Sequence, residues 1–209
     1  LGDEITIAEV FQNAGYATGA FGKWHLGDYG EYLPTNQGFD YFYGSHHVND
    51  MYAFYHVSEE NGEYEIVHGN NELRDENGKN DQSPLTEWIH GEITEWITDT
   101  VTNTDKPFFA YYATPWPHGP VFAGDDFDGA SGMGTYVDCL TEFDTYLGKL
   151  FNTLEELGEL ENTIIIFTSD NGPALEGSIG DLRGGKYLAY EGGQKVPFMI
   201  RWGNNGGLW

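Results

Sequence analysis

Apolar residues recur along this chain at two periods, and the switches between them mark out the elements. Ile7, Val10, Phe11 and Ala14 fall at helical spacing behind Thr6 and Glu9, a T-x-x-E capping box, and Gly15 closes the run. That pattern predicts a short amphipathic helix. Tyr16 to Phe21 is small and apolar enough for a buried strand, and it runs straight into Gly22-Lys23-Trp24-His25-Leu26-Gly27. This polar cluster is therefore placed on a loop at a strand's C-terminal end. Ser83-Pro84 opens a second helix with Leu85, Trp88, Ile89, Ile93, Trp96, Ile97 and Val101 on one face. Phe108 to Ala113 reads as a strand. Tyr136 to Leu157 reads as a long helix with Val137, Leu140, Phe143, Leu147, Leu150, Phe151, Leu154 and Leu157 inward, and Thr163 to Thr168 as another strand. Together they predict a β-α-β crossover. The continuous Ile164-Ile165-Ile166-Phe167 run predicts a strand covered on both faces, as in parallel sheets under helices. With a further strand at Val196 to Trp202, the expected class is α/β, a mostly parallel sheet flanked by helices.

Between about Tyr52 and Gln82 the pattern turns polar, with Asn61-Gly62 and Asn77-Gly78 as tight turns and alternation around Tyr64 and Ile66. A hairpin on a polar surface excursion is the expectation, set within a single domain over residues 1–209. The chain opens at Leu1 and closes on Gly206-Gly207-Leu208-Trp209 just after an apolar run, so the domain is expected to be incomplete at both ends.

Charge narrows the partners. Thirty-four acidic against nine basic residues give a formal net charge of −25, which repels nucleic acid and anionic lipid. The acidic residues are dispersed, as on a solvated surface, and such a surface is best tolerated where salt shortens the Debye length. No apolar stretch reaches the roughly 18 to 20 residues of a membrane span. The single Cys139 excludes an internal disulfide and a multi-cysteine zinc site.

Candidate chemistry collects after the strands, where loops of an open parallel sheet converge. Asp170-Asn171-Gly172 offers a carboxylate and an amide oxygen side by side, the hard donors that Ca²⁺ and Mg²⁺ take, and is equally ordinary turn chemistry. Lys23 and Lys186 lie in glycine-flanked loops, where the backbone approaches a ligand closely and an ammonium meets a tetrahedral oxyanion; two surface lysines beside turns look the same. His25 and His118 are of the residue type that can donate or accept a proton near pH 7, the property a leaving alkoxide requires, and a satisfied loop histidine is the alternative. Pro115, Pro117 and Pro120 box His118. No role is predicted for His46, His47, His56, His68 or His90.

Gly15-Tyr16-Ala17-Thr18-Gly19-Ala20-Phe21-Gly22-Lys23-Trp24-His25-Leu26-Gly27 closely resembles a signature of the sulfatase family, part of the alkaline-phosphatase-like superfamily, with Phe21 standing where a small or aliphatic residue is usual. The family's order continues through Gln37-Gly38-Phe39-Asp40-Tyr41-Phe42-Tyr43-Gly44, Pro107-Phe108-Phe109, Pro117-His118, Phe167-Thr168-Ser169-Asp170-Asn171-Gly172 and Gly185-Lys186 followed by Tyr190-Glu191-Gly192-Gly193. The resemblance implies an alkaline-phosphatase-like core and hydrolysis of a sulfate monoester of a carbohydrate or aryl alcohol, in a periplasmic or extracellular setting. It implies that Asp170 and Asn171 ligate one Ca²⁺ or Mg²⁺, that Lys23 and Lys186 hold the sulfate oxygens, that His25 sits beside the nucleophile and that His118 protonates the leaving oxygen. The family's nucleophile is a formylglycine made from Cys or Ser in a C/S-x-P-x-R motif behind a pair of aspartates. Neither is present, and Cys139, followed by Leu140-Thr141-Glu142 in mid-helix, is expected to be a buried small residue. The expected identity is an internal piece of a sulfatase, inactive alone, with the nucleophile supplied from the N-terminal side. The alternatives are a phosphodiesterase or phosphonate hydrolase on the same fold, and a non-catalytic acidic domain that binds Ca²⁺ or glycans.

Overall fold

A computed structural model describes residues 4–50, 55–69, 73, 81–174, 177–203 and 207–208. The chain divides into two compact units, Leu1–Leu150 and Phe151–Trp209.

The first unit is built on a mixed five-stranded sheet of order β4-β3-β2-β1-β5, comprising β1 (Ala17–Lys23), β2 (Tyr41–Ser45), β3 (His56–Glu60), β4 (Glu63–His68) and β5 (Phe108–Ala113). β1 runs parallel to β2 and β5, while β2, β3 and β4 pair antiparallel, so the α/β class holds and the parallel part surrounds β1. β1 lies at its heart, with Thr18, Ala20 and Phe21 at 1 % exposure or less. Gly19 is small for a reason: a β-carbon there would lie 2.8 Å from the Phe21 ring and 2.9 Å from that of Trp96. The space lets α2 (Leu85–Asn103) settle on the sheet, burying Leu85, Ile89, Ile93 and Ile97, each worth about 1.5–3 kcal/mol of apolar burial. The strand is also longer than the pattern predicts, and Lys23 is its last residue rather than part of the loop.

α1 (Ile7–Asn13) carries the expected capping box, with Thr6 Oγ1 accepting from Glu9 N and Glu9 Oε2 from Thr6 N. Its buried face differs from the expected one. Ala8 is buried and Phe11 stacks on Phe109 at 4.4 Å, whereas Ile7 and Val10 are exposed. Docking fixes this rotation: Thr6 Oγ1 also donates to the Gln37 carbonyl at 2.8 Å, and Gly38 lies so close that a β-carbon would sit 2.3 Å from Glu9 N.

The expected hairpin is β3-β4, turning on Asn61 and Gly62 with φ of 53° and 77°, the left-handed pair of a two-residue turn. It does not simply run over the surface. β3 joins the sheet through β2 and buries His56, Val57 and Glu59. The Asn77-Gly78 turn lies outside the described residues, as do residues 51–54, 70–72 and the remainder of 74–80.

α3 (Thr135–Glu156) buries Cys139, Phe143, Leu150 and Leu154, while Leu140, expected inward, is 38 % exposed. Its inward acids fasten the loop before it: Glu142 Oε2 accepts from Gly124 N, and Asp138 accepts from Gly129 N and Ser131 N. These bonds fill positions that an apolar pattern assigns to nothing.

In the second unit β6 (Ile164–Thr168), β7 (Phe198–Trp202) and β8 (Gly207–Leu208) form an antiparallel sheet in that order. This corrects the predicted crossover, since β5 pairs with β1 and β6 pairs with β7, Ile164 opposite Trp202. Nor is β6 covered on both faces, with Ile164 at 51 % and Ile166 at 57 % exposure. Hydrophobic runs record side-chain chemistry, and the strand partner is chosen by pairing that the run does not encode. No helix among the described residues is long and apolar enough to cross a membrane.

Candidate functional site

Parallel pairing of β1 with β2 and β5 sends all three C-terminal ends the same way, at Lys23, Ser45 and Ala113. Three loops therefore open together. The first is tied to the second by backbone bonds, Trp24 N to the Ser45 carbonyl and His25 N to the His46 carbonyl, both at 2.9 Å. Trp24 anchors the turn, its Nε1 donating to the Tyr32 carbonyl at 2.9 Å and its ring edge-on to Phe39. Gly22 lets the strands close, because a β-carbon there would lie 2.0 Å from the Ala113 carbonyl. His25 itself has φ of 59°, a left-handed conformation that a non-glycine residue adopts at a cost.

Beneath this turn lies a buried histidine–carboxylate hydrogen bond. His46 Nε2 is 2.9 Å from Glu59 Oε2, both side chains fully buried, and Glu59 Oε1 accepts from Thr35 N at 2.8 Å and Thr35 Oγ1 at 2.5 Å. The pair holds the segment at the end of β2, where the Ser45 and His46 carbonyls in turn hold Trp24 and His25.

The third loop carries His118. Its Nδ1 lies 2.7 Å from the Gly119 carbonyl, and a carbonyl only accepts, so Nδ1 bears a proton and Nε2 is the nitrogen left for acid–base exchange. Asn49, 1 % exposed, fixes this loop by donating from Nδ2 to the Pro120 carbonyl at 2.9 Å, and Gln82 Nε2 donates to the Asn49 carbonyl at 2.7 Å. The pKa of His25 is lowered, first by burial and then by Lys23, His47 and His118, with Asp50 opposing. Lys23, His25 and His118 thus share one electrostatic neighbourhood. A small cavity beside Lys23 is lined by Ser45, His47, Asn49, His56 and Pro115. Ser45, His47 and Asn49 escaped the motif reading. Their signal was topological, since they end or follow a strand parallel to β1.

In the second unit Asp170 and Asn171 follow β6 on an exposed turn. Asn171 Nδ2 donates to the Gly172 carbonyl at 2.9 Å, which leaves its oxygen as the group a cation would use. Gly172 N donates to the Gly193 carbonyl and Lys186 N to the Pro173 carbonyl, each at 2.9 Å, so this turn and the Lys186 loop are stitched together. Glycine is required at the crossing: a β-carbon on Gly172 would lie 2.0 Å from the Gly192 carbonyl. The Asp170-Asn171 turn and the Lys186 loop therefore lie side by side. The donors are hard oxygens and suit Ca²⁺ or Mg²⁺, yet they fill only part of a shell of roughly six to eight. Among the described residues no group of three or more His, Cys, Asp and Glu side chains adds to them.

Cys139 is buried in α3, and burial, with Glu142 and Asp138 adding, pushes its thiol up to about 12. That is the inert cysteine expected from the sequence.

The sulfatase family model matches residues 2–206. Human arylsulfatase A is 35 % identical over 96 % of this chain and 43 % of its own length. The N-acetylgalactosamine-6-O-sulfatase of Bacteroides thetaiotaomicron is 32 % identical over 95 % of this chain and 51 % of its own. The crystal structure of the PsFucS1 sulfatase from Pseudoalteromonas sp. superposes with a TM-score of 0.87 at 28 % identity, covering 96 % of this chain and 45 % of that one. The chain thus spans about half the length of the relatives it matches, and by family model, identity and the fold that sets its site loops it belongs to the sulfatase family.

Proposed function

We propose that this chain supplies the anion-binding and proton-transfer residues of a sulfuric ester hydrolase acting on a sulfate monoester of a carbohydrate or aryl alcohol. The observation that carries the reading is the gathering of Lys23, His25 and His118 at one sheet edge, with His118 Nδ1 committed to a carbonyl and Nε2 left to exchange a proton. Lys23 and Lys186 hold sulfate oxygens as point charges, stabilising charge that shifts onto them as the S–O bond breaks. His118 as imidazolium gives its Nε2 proton to the departing alkoxide. His25, whose pKa is lowered by partial desolvation and by Lys23, hydrogen-bonds at the reacting face.

Asp170 and Asn171 would hold a Ca²⁺ or Mg²⁺ through their side-chain oxygens, and such an ion would supply further charge stabilisation to the sulfate. The formylglycine that the family resemblance implies would supply the nucleophile, a role the buried Cys139 does not fit. The relatives named for aryl and N-acetylgalactosamine sulfates support this substrate class. A net charge of −25 slows a long polyanion at low ionic strength and favours a small or sparsely sulfated substrate.

The test uses the enzyme translated from its complete gene, assayed on a sugar sulfate and on 4-nitrophenyl sulfate. His118→Ala should lower kcat by about 10²–10⁴-fold on the sugar sulfate, whose alkoxide needs a proton, and far less on the nitrophenyl ester, whose leaving group does not. Equal losses on both, or turnover of phosphate esters in place of sulfate esters, would refute the assignment.

A further inference from the structure

Among the described residues three non-glycine positions have left-handed backbone: Asn61, His25 and Tyr187, at φ of 53°, 59° and 74°. Asn61 needs no special account, because it makes a hairpin turn and asparagine tolerates this conformation. The other two adjoin the anion-binding lysines, His25 two residues after Lys23 and Tyr187 directly after Lys186. A bulky residue held there is an outlier that the surroundings must enforce.

Tyr187 combines this strain with 89 % exposure, the highest among the large exposed hydrophobic residues. The nearby Tyr190 is different: its hydroxyl accepts from Arg183 Nη2 at 2.7 Å and the guanidinium lies 3.8 Å from its ring centroid. Tyr187 stands instead with the Lys186 ammonium 5.4 Å from its ring centroid. An ammonium over one side of a largely exposed aromatic ring matches the two parts of a sulfate ester, the anionic head and the ring that bears it. Tyrosine offers a flat apolar face at small entropic cost, and a ring edge or the C–H face of a sugar packs on it.

We propose that Tyr187 is a substrate-contacting residue, stacking on the sugar or aryl ring whose sulfate is held by Lys186. The inference rests on the sulfate-ester reading above and adds the residue that recognises the organic half of the substrate. The stem of Lys186 and the strained Tyr187 backbone fix how far the sulfate stands from the stacked ring, which favours esters whose sulfate lies close to a ring over long flexible alkyl sulfates.

Strain and contact give opposite signs on two readouts. Tyr187→Gly relieves the left-handed backbone, so the thermal midpoint should rise by about 2–4 °C. In the enzyme from its complete gene, the same change should raise KM for 4-nitrophenyl sulfate about tenfold, the size of one lost stacking contact, with kcat little changed. Inhibition by inorganic sulfate, which has no ring, should be unaltered, and Tyr187→Phe should keep the wild-type KM. An unchanged KM in Tyr187→Gly, a parallel loss of inorganic sulfate affinity, or a lower midpoint showing that the ring packs within the protein would each overturn the proposal. A wild-type enzyme inactive on every sulfate ester would overturn the functional reading and this inference together. An active wild type indistinguishable from Tyr187→Gly would overturn this inference alone.

Discussion

Lys23 and Lys186 are alike in sequence, each beside glycine and each assigned to a sulfate oxygen, yet the structure supports them by different means. Lys23 ends a strand paired on both sides in the first unit, and the turn after it hangs on carbonyls fixed from below by the His46–Glu59 pair. Lys186 lies on a half-exposed loop of the second unit, with backbone bonds and glycine crossings in place of a core. A site residue can be positioned by buried polar groups that tolerate no loss of partner, or by backbone approaches that tolerate no added atom. The first kind fails when something is removed and the second when something is inserted.

The comparison breaks most severely at Glu59. Glu59→Ala leaves His46 Nε2 buried without its hydrogen-bond partner and Thr35 without its acceptor, and each buried polar group left unsatisfied costs about 1–3 kcal/mol. Urea unfolding of the 209-residue chain should show that loss as a lower midpoint with an unchanged slope. A variant as stable as the wild type would mean that the pair does not hold the end of β2. The second region should respond to one added methyl: Gly172→Ala drives a β-carbon toward the Gly192 carbonyl, an overpacking of about 1–3 kcal/mol. The converse pairing sharpens the contrast, since no side chain is there to remove.

A smaller effect separates buried polar groups that are paired from one that is not. His90 Nδ1 is buried with no hydrogen-bond partner, and burial, then Lys149, lowers the pKa of His90 to about 4. In the unfolded chain a histidine titrates near 6.5, so between about pH 6.5 and 4 the unfolded state binds the extra proton. The stability contributed by neutral His90 is complete above about pH 6.5 and is lost as pH falls through that window. His90→Phe should flatten the fall in thermal midpoint between pH 7 and 5 relative to wild type. An unchanged slope would assign the acid sensitivity to other groups, beginning with the fully buried His56, lowered to about 3 by burial and then by His68.

Much of this was legible in the order of residues. The capping box at Thr6, the Asn61-Gly62 turn, the limits of β5 and the approximate limits of α2 and α3 follow from local preferences that act over a few residues. The lysines, histidines and the Asp170-Asn171 pair stood out because glycine, proline and strand ends frame them. What stayed hidden depends on residues distant in sequence. The rotation of α1 that buries Ala8 and leaves Ile7 and Val10 exposed is set by Gln37 and Gly38. The burial of Glu59, which composition assigned to a polar excursion, follows from the pairing of β3 with β2. His47 and Asn49 reach the site only because β2 ends beside β1.

The sequence by itself determined the α/β class, the family and the chemical identity of the site groups, since periodicity, caps and motifs are carried by neighbours along the chain. Tertiary structure alone decided that β6 takes an antiparallel partner, that His118 keeps its proton on Nδ1, and that Tyr187 stands strained and open beside Lys186. Those outcomes rest on hydrogen bonds and close approaches between segments, which are fixed only when the chain has folded.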